Sequence, residues 1–100
     1  DAVVFARSTE DVVALVRLCT AAGVPLVPFG AGTSIEGNAA PVHGGVSVDL
    51  SEMRAIREVN AEDFDCTVEA GVRREQLNEH LRDMGLFFPI DPGANATSDC

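Results

Sequence analysis

The sequence has few basic residues and no long apolar run. Seven Lys and Arg residues against sixteen Asp and Glu residues give a formal net charge of −9 at pH 7. Because sequence-independent binding to nucleic acids depends on Lys and Arg contacts with phosphates, this balance argues against a DNA or RNA partner. A membrane-spanning helix needs about 18 or more consecutive apolar residues, and neither such a run nor a charged and apolar leader after Asp1 occurs. We therefore expect a soluble chain with no nucleic-acid partner.

Paired cysteines are also missing. Cys19, Cys66 and Cys100 form an odd set without a C-x-x-C pair, which argues against a disulfide framework and against a structural zinc site. Cys19 and Cys66 fall on the apolar sides of a predicted helix and a predicted strand, where cysteine acts as a small hydrophobic residue. A reducing cytoplasm fits this usage best, and a parent enzyme peripheral to the membrane is compatible with it.

The length limits the chain to one domain at most. One hundred residues, of which 46% are hydrophobic and 23% charged, have an ordinary globular composition. The sequence begins at Asp1 instead of Met and stops at Cys100, directly after a segment rich in Pro, Gly and Asn. We therefore expect a piece of a longer protein, in which any site within residues 1–100 is part of a larger one.

Apolar periodicity predicts a strand, a helix and a second strand in the first third of the chain. Residues 2–6 form a short apolar run, and Ser8 can cap a helix that Gly23 ends. Residues 26–29 form the second apolar run. Because the crossover is long enough to join parallel strands, we expect the two strands to form a parallel pair. The apolar positions of the helix are Val12, Leu15, Val16 and Cys19.

The rest of the chain predicts more strands and a second helix. Residues 46–50 alternate between apolar and polar side chains, and residues 56–70 have the pattern of a hairpin around a polar turn. A helix over 73–84 would end at Gly85, and two prolines make 86–93 an extended buried loop instead of a central strand. The predicted fold class is α+β, with a small parallel βαβ layer followed by mixed or antiparallel strands and a helix. The apolar face of the second helix would hold Leu77, Leu81 and Met84.

A glycine-rich loop directly after the second strand is the strongest local signal. Residues 28–38 have the sequence PFGAGTSIEGN. Glycines let the backbone approach a ligand and turn successive N–H groups inward, as in loops that bind phosphate. A dinucleotide fingerprint would need Gly at Ile35, and a Walker loop would need Lys at Asn38. The pattern alone leaves two interpretations equally open, a phosphate cradle and a tight structural loop.

Other polar residues carry weaker signals. The isolated His43 and His80 are typical of solvated histidines, not of metal ligands or catalytic bases. The acidic stretch 62–65 lacks the ligand spacing and the closing Glu of a calcium loop. We therefore predict no metal site. Arg73 and Arg74, at the start of the second helix, are expected at the surface, with an adenine or phosphate contact as the less favoured alternative.

Four motifs follow one another along the chain. They are VPFGAGTSIEG at 27–37, GVSVDLSEM at 45–53, EAGV at 69–72 and GLFFPIDPGA at 85–94. Together they resemble the FAD-binding domain of the vanillyl-alcohol oxidase and p-cresol methylhydroxylase (PCMH) family, and they are most similar to its FAD-linked D-lactate dehydrogenase and glycolate oxidase branch. The resemblance implies that residues 1–100 are the N-terminal portion of a PCMH-type FAD-binding domain, with the remainder of that domain and a substrate domain elsewhere in the parent enzyme.

FAD is the cofactor that the resemblance implies. The loop 29–38 would wrap the pyrophosphate, with the backbone amides of 31–34 as the main donors, and 89–94 would approach the flavin from the other side. Some relatives attach their flavin to a histidine in this loop, and 30–38 contains none, so the expected binding is non-covalent. The implied cofactor-binding residues are Pro28, Phe29, Gly30, Ala31, Gly32, Thr33, Ser34, Gly37, Asn38, Pro89, Asp91, Pro92, Gly93 and Ala94.

The implied function is a flavin-dependent oxidation. A 2-hydroxy acid of the D-lactate or glycolate type would be oxidised to the 2-oxo acid, and a separate electron acceptor would re-oxidise the flavin. Substrate and acceptor would be bound by the part of the parent enzyme outside residues 1–100. We therefore predict no catalytic residue here and expect the 100-residue chain alone to be inactive. The alternatives are a non-catalytic nucleotide or phosphate-binding module and a structural fragment without a ligand.

Overall fold

Two small sheets and two helices make up the fold. A computed structural model describes residues 2–33 and 40–90. Within these ranges one sheet has three parallel strands and the other has two antiparallel strands, which confirms the predicted α+β class. In chain order the elements are β1 (Ala2–Phe5), α1 (Thr9–Ala22), β2 (Leu26–Phe29), β3 (Val46–Asp49), β4 (Ile56–Asn60), β5 (Asp65–Val68) and α2 (Arg74–Arg82).

The parallel sheet has β3 at its centre, in the order β1-β3-β2. Val46 is aligned with Ala2 on one side and with Leu26 on the other. The expected direct pairing of the first two strands is therefore wrong, although both run in the same direction. The reason is that the crossover through α1 spans two strand spacings, about 10 Å, and leaves room for β3. Val48 of this central strand is buried.

The helix α1 begins and ends where the sequence predicts. The backbone N–H of Asp11 donates to Oγ of Ser8 at 3.1 Å, and Gly23 closes the helix in the left-handed conformation. Cys19 is buried as expected, whereas Val16 is 43% exposed because it lies to the side of the face that packs on the sheet. The core between α1 and the sheet consists of Ala6, Val48 and Met53, with Val12, Leu15, Leu26 and Leu50 packed against it.

The second layer is the predicted hairpin together with α2. The strands β4 and β5 pair in antiparallel register, with Asn60 opposite Asp65 at the turn. Because α2 ends at Arg82, Met84 lies beyond it and is exposed, so the prediction that Met84 shares the apolar face is wrong. The core of this layer consists of Val72, Leu77 and Leu81, with Ile56, Val59, Cys66, Val68, Leu86 and Phe88 packed against it.

Gly71 connects the two layers. Its backbone N–H donates to the carbonyl of Met53 at 2.8 Å. A Cβ atom at Gly71 would lie 2.1 Å from the carbonyl oxygen of Leu50, far inside van der Waals contact. A residue without a side chain is therefore required where the chain entering α2 crosses the connection between β3 and β4.

Candidate functional site

The glycine loop leaves the carboxyl end of β2. Because β1, β2 and β3 are parallel, their carboxyl ends share one edge of the sheet, which is where open α/β sheets bind ligands. The backbone N–H of Leu50 donates to the carbonyl of Phe29 at 3.0 Å. This bond holds the last residue of β2 against the chain that leaves β3, so the loop begins from a fixed strand end.

Gly32 shapes the described part of the loop. Its φ angle is +70°, in the left-handed region that side chains disfavour. A Cβ atom at Gly32 would lie 2.8 Å from Cζ of Phe29, so the Phe29 ring lies directly beside the glycine backbone. The left-handed φ disfavours a side chain at this position, and a Cβ atom would also require the exposed Phe29 ring to move. The result is a turn lined by backbone and bordered by one aromatic ring.

This turn fits an anionic group. The chain carries a formal net charge of −9, so a pyrophosphate needs local donors and cannot depend on the overall charge. Residues 28–33 are Pro, Phe, Gly, Ala, Gly and Thr, none of which is acidic. Backbone N–H groups at a glycine turn are typical donors to phosphate oxygens, and the exposed Thr33 adds a hydroxyl.

The structure brings part of the predicted site together. Pro89 lies apart in sequence, in the segment that follows α2. Seven of the predicted positions lie outside the described residues, namely Ser34, Gly37, Asn38, Asp91, Pro92, Gly93 and Ala94. The predicted residues that share the end of β2 and the turn after it are Pro28, Phe29, Gly30, Ala31, Gly32 and Thr33.

The segment 86–90 forms neither a helix nor a strand, and it is only partly buried. After α2, the N–H of Gly85 donates to the carbonyl of Arg82 at 3.1 Å, and the chain reverses direction. Leu86 and Phe88 are half-buried in the core of the second layer. Phe87 and Ile90 are 74% and 59% exposed, so the prediction of a buried loop is wrong for these two residues.

Two side chains of α2 hold this segment, and neither contact was predicted from the sequence. Oδ1 of Asn78 accepts a hydrogen bond from the backbone N–H of Phe88 at 2.6 Å, and Nε of Arg74 donates to the carbonyl of Ile90. Arg74 is half-buried and its bond to Ile90 is exposed, which agrees with the expected surface position. The available signal was the spacing of four between two polar residues on a helix that is followed by a reversal at Gly85.

Two grooves lie next to these elements. Pro89 borders an apolar groove of about 420 Å³ between the hairpin turn and the segment 86–90. A more open, polar groove of about 800 Å³ lies at the start of α2, and charges of both signs line it. The residues of the polar groove are Ser51, Glu52, Arg54, Arg73, Glu75, Gln76 and Glu79.

Within residues 2–33 and 40–90, no group of three His, Cys, Asp or Glu side chains could hold a metal ion. His43 and His80 are both exposed. The same part of the chain contains no helix that is long and apolar enough to cross a membrane.

Known proteins are similar to this chain in sequence and in fold. The probable mitochondrial D-lactate dehydrogenase of Danio rerio is 50% identical over 97 residues, which are 97% of this chain and 20% of that protein. The glycolate oxidase subunit GlcD of Bacillus subtilis is 33% identical over 94 residues, covering 94% of this chain and 20% of that protein. A crystal structure of p-cresol methylhydroxylase with substrate bound superimposes with a TM-score of 0.73 and 30% identity, over 84% of this chain and 17% of that one.

These likenesses confirm the resemblance stated from the four motifs. The chain spans about a fifth of the length of the curated relatives it matches. The FAD binding domain family matches residues 1–98, which include the glycine turn, the hairpin, α2 and the segment after it. With nearly its whole length matched, this chain belongs to the FAD binding domain family, and its cofactor is FAD.

Proposed function

We propose that this chain is the N-terminal portion of the FAD-binding domain of a flavin-dependent oxidoreductase that oxidises a 2-hydroxy acid of the D-lactate or glycolate type to the 2-oxo acid. The observation that carries the proposal is the glycine turn after β2. Gly32 has a φ of +70° and its backbone lies beside the Phe29 ring, at the edge of the sheet where ligands bind. The 50% identity to a protein named as a D-lactate dehydrogenase supports the substrate class.

The residues of this chain bind and orient the cofactor. Backbone N–H groups of Ala31 to Ser34 donate to the pyrophosphate, and Gly37 and Asn38 continue the loop around it. Pro89, Asp91, Pro92, Gly93 and Ala94 line the flavin from the other side. When bound, FAD accepts the hydride equivalent from the carbon that carries the substrate hydroxyl. Binding is non-covalent, because residues 30–38 contain no histidine.

The second half of the site separates this function from a simple phosphate-binding module. A module that binds only phosphate has no need for an extended segment fixed by side chains of α2. Here Asn78 and Arg74 hold Phe88 and Ile90 directly before the predicted flavin-lining residues. The match of the FAD binding domain family over residues 1–98 likewise disfavours a structural fragment without a ligand.

The remaining partners belong to the parent enzyme. Residues of the parent outside 1–100 bind the hydroxy acid, supply the catalytic base and contact a separate electron acceptor, so this chain alone is inactive. The net charge of −9 disfavours a nucleic-acid partner. A cytoplasmic location follows from the cysteine usage, and the name of the zebrafish relative makes mitochondria the competing compartment.

Flavin reduction by candidate substrates tests the function. The full-length protein is purified, loaded with FAD, and mixed without oxygen with D-lactate, glycolate or, as a control, L-lactate. We expect a protein-retained yellow chromophore whose visible absorption band bleaches with D-lactate or glycolate and persists with L-lactate. A folded protein that retains no FAD would contradict the assignment of the cofactor to this domain. Retained flavin that none of the 2-hydroxy acids bleaches would contradict the substrate class alone.

A further inference from the structure

We propose that Arg74 and Asn78 of α2 are positioning residues for the flavin-lining segment, which they hold in a single register along the helix. The inference rests on the proposed function, because it assigns these side chains to the segment that carries Pro89 and leads to 91–94. Neither residue is expected to touch the flavin. They act through the backbone of Phe88 and Ile90.

The spacing of the two hydrogen bonds supports a built arrangement. From Asn78 back to Arg74 is four helical residues, a rise of about 6 Å. From Phe88 to Ile90 is two residues, which span up to about 6.6 Å in an extended chain, and the alternating exposure of residues 86–89 fits that conformation. Because these lengths agree and the segment runs antiparallel to α2, both bonds form at once without bending the chain. The register of the segment on the helix is thereby matched at two points.

Packing alone does not fix this register. Leu86 and Phe88 enter the core of the second layer, which determines the depth of the segment and which of its residues face inward, but hydrophobic contact is non-directional and adds no specific bond along the helix. Hydrogen bonds to a particular N–H and a particular carbonyl are directional. Between the two anchored residues, Pro89 holds its φ near about −65°. Together the two bonds and the proline determine the direction in which the chain leaves Ile90.

The bond from Phe88 is the stronger of the two anchors. Its donor and acceptor are partly buried and 2.6 Å apart. Removing the acceptor would leave the partly buried N–H of Phe88 without a partner. The loss of free energy is larger than at an exposed position, where water would replace the acceptor. Substitutions at Asn78 can therefore test the role of one atom, the acceptor Oδ1. Aspartate retains an acceptor oxygen at the same place, whereas leucine has a similar size and no acceptor.

The test compares variants of the full-length holoprotein. Asn78→Leu removes the acceptor, Asn78→Asp retains it, and Glu79→Leu places the same apolar side chain at the exposed neighbouring position on α2. The measurements are the FAD dissociation constant by flavin fluorescence, the visible circular dichroism of the bound flavin, and the melting temperature. We expect Asn78→Leu to weaken FAD binding about tenfold, consistent with the loss of one partly buried hydrogen bond, and to change the flavin dichroism. Asn78→Asp and Glu79→Leu should resemble the wild type.

Each outcome decides one question. Wild-type affinity and dichroism in Asn78→Leu would overturn the inference, as would equal losses in Asn78→Leu and Asn78→Asp. Equal losses in Glu79→Leu would show that any apolar change on α2 has this effect and would also overturn it. If Asn78→Leu does not fold, Arg74→Met releases the carbonyl of Ile90 and is judged by the same criteria. A wild-type protein that retains no FAD would instead contradict the proposed function.

Discussion

The two segments proposed to contact the cofactor obtain their shapes in opposite ways. The turn after β2 depends on a residue without a side chain, Gly32, in a left-handed conformation. The segment after α2 depends on Pro89, whose ring restricts the backbone, and on side chains that reach across from Arg74 and Asn78. One segment is shaped by conformational freedom and the other by restriction and external anchors, so they should respond differently to substitution.

Their supports differ as well. The glycine turn begins at a strand end that is held by the backbone bond between Leu50 and Phe29, and this bond does not depend on side-chain identity. The segment 86–90, called the proline segment below, packs on the core of the second layer. Leu77 of this core is 1% exposed. Changes in that core should therefore reach the proline segment, whereas changes in α1 should leave the glycine turn intact.

The largest expected effect is that of Leu77→Ala. Leu77 is fully buried in the core against which Leu86 and Phe88 pack, and replacing a buried leucine by alanine costs about 2–5 kcal/mol of unfolding free energy. We expect urea denaturation of the full-length protein to show a loss in this range, with FAD affinity reduced at the same time. Leu18→Ala, at an exposed position of α1, is the control and should change neither quantity measurably. A Leu77→Ala protein with lower stability and unchanged FAD affinity would show that the conformation of the proline segment does not depend on this core.

Gly32→Asp should produce the next largest effect, on FAD binding. A side chain at a φ of +70° costs about 1–2 kcal/mol, it meets the Phe29 ring, and a carboxylate repels the pyrophosphate. We expect at least a tenfold loss of affinity by flavin fluorescence titration.

Gly23→Ala is the matched control for Gly32→Asp. Gly23 has a φ of +66°, and a Cβ atom there would meet nothing within 4 Å. It should therefore lower the unfolding free energy by about 1 kcal/mol from backbone strain and leave FAD affinity unchanged. Equal affinities in the two variants would contradict the assignment of the glycine turn to the cofactor.

Ser8→Ala tests whether the first layer can lose stability without losing its turn. Ser8 accepts the N–H of Asp11 at the start of α1, and removing such a cap costs about 1 kcal/mol. We expect a lower unfolding free energy in urea with unchanged FAD affinity. Ser8→Asp retains an acceptor oxygen and should restore the stability. A loss of affinity in Ser8→Ala would show that the turn depends on α1 after all.

Pro89→Ala should have the smallest effect. The substitution adds conformational freedom to the unfolded chain and costs about 0.4–1 kcal/mol, while the anchors at Asn78 and Arg74 remain in place. We expect the unfolding free energy in urea to fall by this amount, and FAD affinity in the fluorescence titration to fall by no more than about fivefold. Pro41→Ala, at an exposed loop position, serves as the control for the loss of a proline. A tenfold or larger loss of affinity would mean that Pro89 contributes more to cofactor binding than its restriction of the backbone explains.

Local sequence patterns predicted where the helices and strands lie along the chain, but they did not predict which strands are neighbours in the sheet. Ser8 and Gly23 bound α1 as expected, because capping depends on residues adjacent in sequence. The position of β3 between β1 and β2 was not predictable from α1, since a crossover of this length permits either direct or skipped pairing. The glycine turn was predicted from the sequence. The position of the Phe29 ring beside Gly32 was not, because the sequence does not give the direction of a side chain.

The anchors of the proline segment were missed for a related physical reason. A polar residue such as Asn78 on a helix is ordinarily solvated, and nothing within α2 indicates that a later segment will return beside it. The alternation of inward Leu86 and Phe88 with outward Phe87 was also hidden, because all three residues are apolar. Hydrophobicity alone could not distinguish a buried loop from a segment with one exposed face.

The distance from Arg74 to Asn78 along α2 matches the distance from Ile90 to Phe88 along the segment after it. This match limits the insertions that the chain can tolerate. Adding one residue between Gly85 and Leu86 would shift an extended segment by about 3.3 Å and exchange its two faces. Phe87 would then point into the core and Phe88 outward, while Asn78 would meet a different amide. The number of residues after Gly85 is therefore fixed more strictly than the identity of the outward-facing ones, and many side chains could replace Phe87 where no extra residue could be accommodated.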